Sequence, residues 1–243
     1  MAQRTAQHIP GHVLSAFQLD GRAGIPLGPE WDNGVRFGRV VVSEASDTAA
    51  WSGKARDHAG EFGAGIAVSR PVRATDGRLV VGGFKASEFV EGRVLARIDE
   101  AVSAALRYDE AMAGVDAPTA DRGDAFATAE RAVWRDYTPQ PGDVVAHMDF
   151  ASCLLFSGDM VPTLTDLVPS SSKRPRGFTA ALVIVDGLLA QACDAAVIDR
   201  WAHVPGLREL AGHALEYRVA CARAAGSDIR SIAERVDQAL VSE

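Results

Sequence analysis

Near residue 99 the hydrophobic period of this chain changes, and the change separates two kinds of polypeptide. Before it, apolar residues come in short runs broken by glycine: Ile25 to Leu27, Val35 to Ser43, Ile66 to Pro71, and Arg78 to Val90 with Gly82 and Gly83 inside. Runs of this kind read as strands. After it, Val102, Ala105, Leu106 and Met112 recur at helical spacing, and Phe178 to Gln191, Ala195 to His203, Leu207 to Ala225 and Asp228 to Leu240 continue in the same style. The order predicts an α+β fold with a small β-rich N-terminal lobe and a mainly helical C-terminal lobe.

One helix is expected in the first lobe, over Asp47 to Gly60, where Asp47 can accept from the free amides of the first turn and Gly60 supplies the stop. Thr75-Asp76-Gly77-Arg78 reads as a tight turn between strands. Past Gly114, a polar loop at Pro118 to Gly123 leads to a short helix carrying Ala129, Val133 and Trp134, which the Thr138 to Gly142 segment ends. Val144 to His147, Leu154 to Phe156 and Thr163 to Leu167 read as short extended runs, with Ser157-Gly158-Asp159 turning the second into the third. The expected boundaries are a first lobe over 1–87, a connector at 88–92, and a helical lobe over 93–243 that holds the loop and hairpin 147–166.

At 243 residues, with 47% hydrophobic and 23% charged side chains, the chain can bury a substantial core. A net charge of -7 offers no broad attraction to nucleic acid or to an anionic membrane. Met1 to Pro10 lacks the apolar core of a signal peptide and no apolar run approaches membrane-spanning length, so a cytoplasmic location is expected. Cys153, Cys193 and Cys221 are far apart and in no metal-binding spacing, and read as reduced, packed side chains.

Chemistry concentrates at His147-Met148-Asp149, with Asp166 seventeen positions beyond Asp149 across the expected hairpin. This order of aspartates is the one that kinase-like loops use. The run His147 to Phe156, Pro162 to Asp166, and Arg174-Pro175 before an apolar helix resembles the catalytic loop, metal-binding aspartate and following helix of aminoglycoside-phosphotransferase-like proteins. With Ser69 to Gly77, Glu88 to Arg93, Asp186 to Leu189 and Arg200 to Pro205, the chain resembles an uncharacterised actinobacterial family of that group over roughly Ile9 to Ala220. The resemblance implies a two-lobed protein-kinase-like fold. It also implies Asp149 as the base that takes the acceptor's proton, His147 as a brace of the loop, and Asp166 as the Mg²⁺ ligand. An H-x-D zinc site is disfavoured, since no second cluster of ligands lies at a supporting spacing.

Other positions depart from the pattern. The strand Arg39 to Ser43 puts Ser43 where a phosphate-pairing lysine should stand, and the nearest alternatives, Lys54 and Lys85, read as solvated surface lysines. The turn bounded by Gly28 and Gly34 carries Pro29, Glu30 and Asp32 where a flexible phosphate-binding loop is wanted. A carboxylate a few Å from a triphosphate costs about 1 to 4 kcal/mol per unit charge. Glu88 opens the connector and completes the nucleotide-binding positions that the resemblance assigns. Cys153 falls at the second metal position, where thiol suits hard Mg²⁺ poorly, and Met148 adds bulk beside Asp149.

These losses favour a degenerate kinase-like protein, without efficient phosphotransfer from ATP, that acts by binding a small molecule or a protein. The alternative is a phosphotransferase that uses Mg²⁺ and ATP. Of the remaining features, Lys173 to Arg176 reads as a solvated basic loop, with contact to an anionic ligand as the alternative; Trp134, Trp201, Phe178 and Tyr217 read as core aromatics. The last helix reads as a cover for the bundle, with pairing to another chain as the alternative.

Overall fold

The computed structural model describes residues 8–58, 65–120 and 122–241. The chain forms two compact units, Met1–Leu95 with Ser152–Leu167, and Ala96–Ala151 with Val168–Glu243. The α+β class and the two-lobed plan are as expected. The division runs differently from the expected boundaries: the segment from Ser152 to Leu167 groups with the sheet unit rather than with the helices.

In the first unit, β1 (Ile25–Pro26), β2 (Val35–Phe37), β3 (Val40–Glu44), β5 (Pro71–Val72), β6 (Val80–Val81) and β7 (Phe84–Glu88) form one antiparallel sheet. Its order is β1-β2-β3-β7-β5, with β6 also paired to β7. The β6–β7 connection is Gly82-Gly83, both at positive φ (56° and 82°), the backbone that a two-residue hairpin turn requires and that glycine adopts without strain. Alternation along β3 sends Val42 to one face and Val41 to the other. On the first face Val42, Phe84 and Ala86 bury against Val13 of α1 (Gly11–Ala16) and Phe17 at its C-terminal cap. On the second, Val41 packs with Trp31 and Leu155.

Two helices, α1 and α2 (Ala49–His58), stand where one was expected. At six residues, α1 is too short to announce itself by periodicity. The expected stop at Gly60 lies outside the described residues. The hairpin of β8 (Leu154–Leu155) and β9 (Thr163–Leu164) pairs in parallel with β4 (Ala67–Val68), Ala67 opposite Thr163 and Val68 opposite Leu164. That ladder is what ties the hairpin to the sheet unit.

The second unit is built on α6 (Phe178–Leu189), whose sequence FTAALVIVDGLL is apolar on nearly every side and buried along almost its whole length, the signature of a helix at the centre of a bundle. Around it pack α3 (Ile98–Ala111), α8 (Leu207–Ala224) and α9 (Arg230–Val241), while α4 (Ala125–Val133) lies on α8. Asp124 caps α4 by accepting from the Ala127 amide at 2.7 Å. Ala233, Val236 and Leu240 of α9 are buried, so the last helix covers the bundle. Val144 to His147 forms isolated bridges to Arg174 and Pro169 rather than a regular strand. A short α5 (Phe150–Cys153) precedes β8, and α7 (Ala196–Arg200) precedes α8. Among the described residues no helix is long and apolar enough to cross a membrane.

Candidate functional site

Strand register decides what surrounds Asp166. In the β3–β7 ladder Ser43 lies opposite Lys85 and Val41 opposite Ser87, and directly opposed residues share a face. The serine that takes the expected lysine's place therefore has a lysine beside it on the next strand. Lys85 is 6% exposed, which corrects the expectation of a solvated side chain. Its ammonium donates to Asp166, and also to Asp32 Oδ2 at 2.8 Å. Lys54, by contrast, is exposed.

The opposite side of Asp166 is occupied by α2. Ser52 donates to Oδ1 at 2.5 Å, the Leu167 amide donates to the same oxygen at 2.8 Å, and Arg56 Nη2 stands 3.4 Å from it. Arg56 is 2% exposed and its Nη1 bonds the Ser69 and Thr165 carbonyls and the Ser87 hydroxyl, at 3.0 to 3.2 Å. In kinases this helix supplies a glutamate to the strand lysine. Here it supplies a cation and a hydroxyl to Asp166, which becomes the lysine's carboxylate. Neither Ser52 nor Arg56 was singled out from sequence; only the periodicity of α2 set against the β-hairpin could have suggested them.

Burial by itself would raise the Asp166 pKa, but the charges of Lys85 and then Arg56 more than offset it and hold the carboxyl well below the usual range. Burial would likewise discharge Lys85, and Asp166 and then Asp32 reverse that, keeping the ammonium firmly protonated. A carboxylate offers about four acceptor positions; on Asp166 these meet a hydroxyl, an amide, an ammonium and a guanidinium. Mg²⁺ needs close oxygen ligands in near-octahedral geometry, and this arrangement does not fit it. No cluster of three or more potential metal-ligating side chains occurs among the described residues.

The expected phosphate-binding turn is closed upon itself. Gly28 precedes a single 3-10 turn, Pro29–Trp31, and Asp32 and Asn33 follow in left-handed backbone (φ 53° and 54°). The Gly34 carbonyl accepts from Leu27 and its amide donates to Trp31, both at 2.9 Å. Trp31 is buried and stacks on Phe89, centroids 5.5 Å apart. Within this unit Glu30, Asp32, Ser43, Lys85, Thr165 and Asp166 line a cavity of about 10 Å³, room for about one water molecule. Glu88 ends β7, its backbone tied to Arg70 and Ser69, and does not line that cavity. Nor does Cys153, whose thiol is buried and whose carbonyl accepts from Thr165.

His147 and Asp149 belong to the helical unit. His147 is fully buried, edge-on to Tyr108 and Phe150. Its Nδ1 lies 3.2 Å from the Asp149 amide and its Nε2 3.3 Å from that of Val168. Its own amide donates to Thr179 Oγ1 at 3.1 Å, and that hydroxyl donates to Asp109. Burial pushes the Asp109 carboxyl up to about 7, less than it would without hydrogen bonds from Gly177 and Thr179. Arg218 grips Asp186 through two bonds of 2.6 Å and donates to the Met148 carbonyl at 3.1 Å, fixing the middle of the loop. Asp149 itself is half-buried. The basic stretch is no solvated loop at its centre: Arg174 is 2% exposed and paired with buried Glu130 at 2.6 Å.

Sheet unit, Asp166 cluster, braced His-x-Asp loop and helical bundle together define the kinase-like fold of the aminoglycoside-phosphotransferase type. Among solved structures the chain is similar to the crystal structure of an aminoglycoside phosphotransferase from Alicyclobacillus acidocaldarius subsp. acidocaldarius DSM 446, at a TM-score of 0.58 and 16% identity over 98% of this chain and 94% of that one. Identity at that level carries the fold alone. No family model matches the chain, and no curated protein does.

Proposed function

We propose that this chain is a degenerate kinase-like protein that does not transfer phosphate from ATP efficiently and acts, in the cytoplasm, by binding a small molecule or a protein. The supporting observation is the closed charge cluster. Lys85 and Arg56 face Asp166 and Asp32, two cations against two carboxylates, so no positive charge in the cluster is left over for a polyphosphate. A nucleotide would have to displace Asp32 and enlarge a cavity of about 10 Å³. Calorimetry with ATP, with and without Mg²⁺, tests this reading: negligible heat in both is expected. Tight binding that requires Mg²⁺ and disappears in Asp166→Asn would overturn it.

Lys85 favours a second reading, because a lysine beside Ser43 restores the cation that the strand lacks. In a phosphotransferase, Asp149 would accept the acceptor hydroxyl's proton and Asp166, released from Lys85, would hold Mg²⁺. This reading expects Mg²⁺-dependent label transfer from ATP to a hydroxyl compound, lost in Asp149→Asn. An unchanged melting temperature with ATP and Mg²⁺, and no labelled acceptor, would remove its support.

A further inference from the structure

The turn between β1 and β2 sends two neighbouring side chains into the sheet unit, and each finds a different kind of partner. Trp31, 6% exposed, stacks on Phe89 and packs in one apolar cluster with Val41 and Leu155. Asp32, the next residue, reaches the Lys85 ammonium at 2.8 Å while half of its own side chain stays exposed. Trp31, Asp32, Val41 and Lys85 line one cavity, so the apolar slot and the ammonium are continuous. An indole and a carboxylate on adjacent residues reproduce the outline of a single aromatic anion.

The turn can leave as a body. Its carbonyls at Gly28, Pro29 and Trp31 accept from its own amides at Trp31 to Gly34, and the Gly34 carbonyl accepts from Leu27, so these bonds survive a swing of the whole segment. The Asp32–Lys85 pair that fastens it is half-exposed, and solvent screening weakens such a pair. The walls stay behind: Val41 belongs to β3, Leu155 to β8, and Phe89 keeps the Arg36 guanidinium 3.6 Å from its ring centroid. Glu30 and Asp32, which both line the cavity, depart with the turn and leave Lys85 and Arg56 against Asp166. Among these groups two cations then face one carboxylate, a balance that one negative charge completes.

We propose that the β1–β2 turn is an autoinhibitory lid, whose Trp31 and Asp32 occupy a site for a planar aromatic carboxylate: ring against Phe89, Val41 and Leu155, carboxylate on Lys85. Flat rings stack on aromatic walls as the indole does, and the ligand's charge replaces that of Asp32. The inference rests on the reading of the chain as a small-molecule-binding protein and names the ligand class. Because ligand and turn compete, the apparent affinity is the intrinsic one reduced by the fraction of molecules in which the turn is open.

The test is calorimetric titration of the full chain with indole-3-acetate and with its uncharged counterpart indole-3-acetamide, on the wild type, Asp32→Asn and Trp31→Ala/Asp32→Asn. The affinity for the acid is expected to rise about tenfold or more from the wild type to Asp32→Asn, and again in the double variant, with the amide binding about tenfold more weakly throughout. Should the double variant melt early, Asp32→Asn carries the test alone. In it the Trp31 indole N–H, assigned with Trp31→Phe, should exchange with solvent about tenfold faster than in the wild type, the mark of a local opening that fixed packing does not give. No binding of the acid to any form up to about 10 mM, equal affinity for acid and amide, or indole exchange unchanged in Asp32→Asn would each overturn the proposal. Tight Mg²⁺-dependent binding of ATP by the wild type would overturn the functional reading along with it; no heat from ATP and none from the acid would overturn the lid alone.

Discussion

Lys85 places one buried ammonium between two carboxylates, and its removal would leave Asp166 buried with less opposing charge. Breaking a buried pair by deleting one partner costs about 3 to 5 kcal/mol. Lys85→Met should lower stability by that amount in urea denaturation, and Asp166→Asn should also destabilise. A carboxylate kept only to hold a metal would show the opposite sign for Asp166→Asn. Asp32 is different, its side chain being 50% exposed. Asp32→Asn should change stability by less than about 1 kcal/mol while raising the affinity for pyrophosphate, measured by calorimetry, because the ammonium loses its exposed partner. Sequence identified Ser43 and Asp166 as positions of interest, yet Lys85 read as a surface lysine. The alternation in Phe84-Lys85-Ala86-Ser87 says that Lys85 and Ser87 share a face; which strand lies alongside is not written in it.

The turn between β1 and β2 is held by close backbone approach as much as by its own bonds. A Cβ added at Gly34 would lie 2.6 Å from the Val42 carbonyl oxygen and 2.9 Å from the Ser43 Cβ, neither of which can move without disturbing β3. Gly34→Ala should therefore cost about 2 kcal/mol by thermal unfolding and loosen the Asp32–Lys85 contact. Elements with a strong period were legible: α3, α6, α8 and α9 begin and end within a few residues of expectation. Elements made by tertiary contact were not. Val144 to His147 has the composition of a strand but finds only isolated bridges, and α1 owes its place to the apolar face of the sheet on which Val13 and Phe17 bury.

For the molecule as a whole, two buried carboxylates set opposing pH dependences, one in each unit. Asp109, pushed up to about 7 from an ordinary 3.8, stabilises the fold fully below its ordinary value and loses that contribution as pH rises through about 7, a change of about 4 kcal/mol. Asp166, held low, contributes above the ordinary carboxylate value and loses its contribution as acid protonates it. The melting temperature should fall between pH 5 and 8, and Asp109→Asn should flatten that decline; an unchanged slope in the variant would refute the assignment.

Hydrophobic period, glycine placement and the order of His147, Asp149 and Asp166 determined the fold class and marked the loop, because these depend on neighbours within a turn or a strand. Whether Asp166 faces a metal or a lysine was decided only by tertiary structure. Its partners, Ser52, Arg56 and Lys85, lie 114, 110 and 81 positions away in the chain, brought to it by one helix and one strand. A charge reveals its role through what the fold sets beside it, and at that separation no local pattern records the meeting.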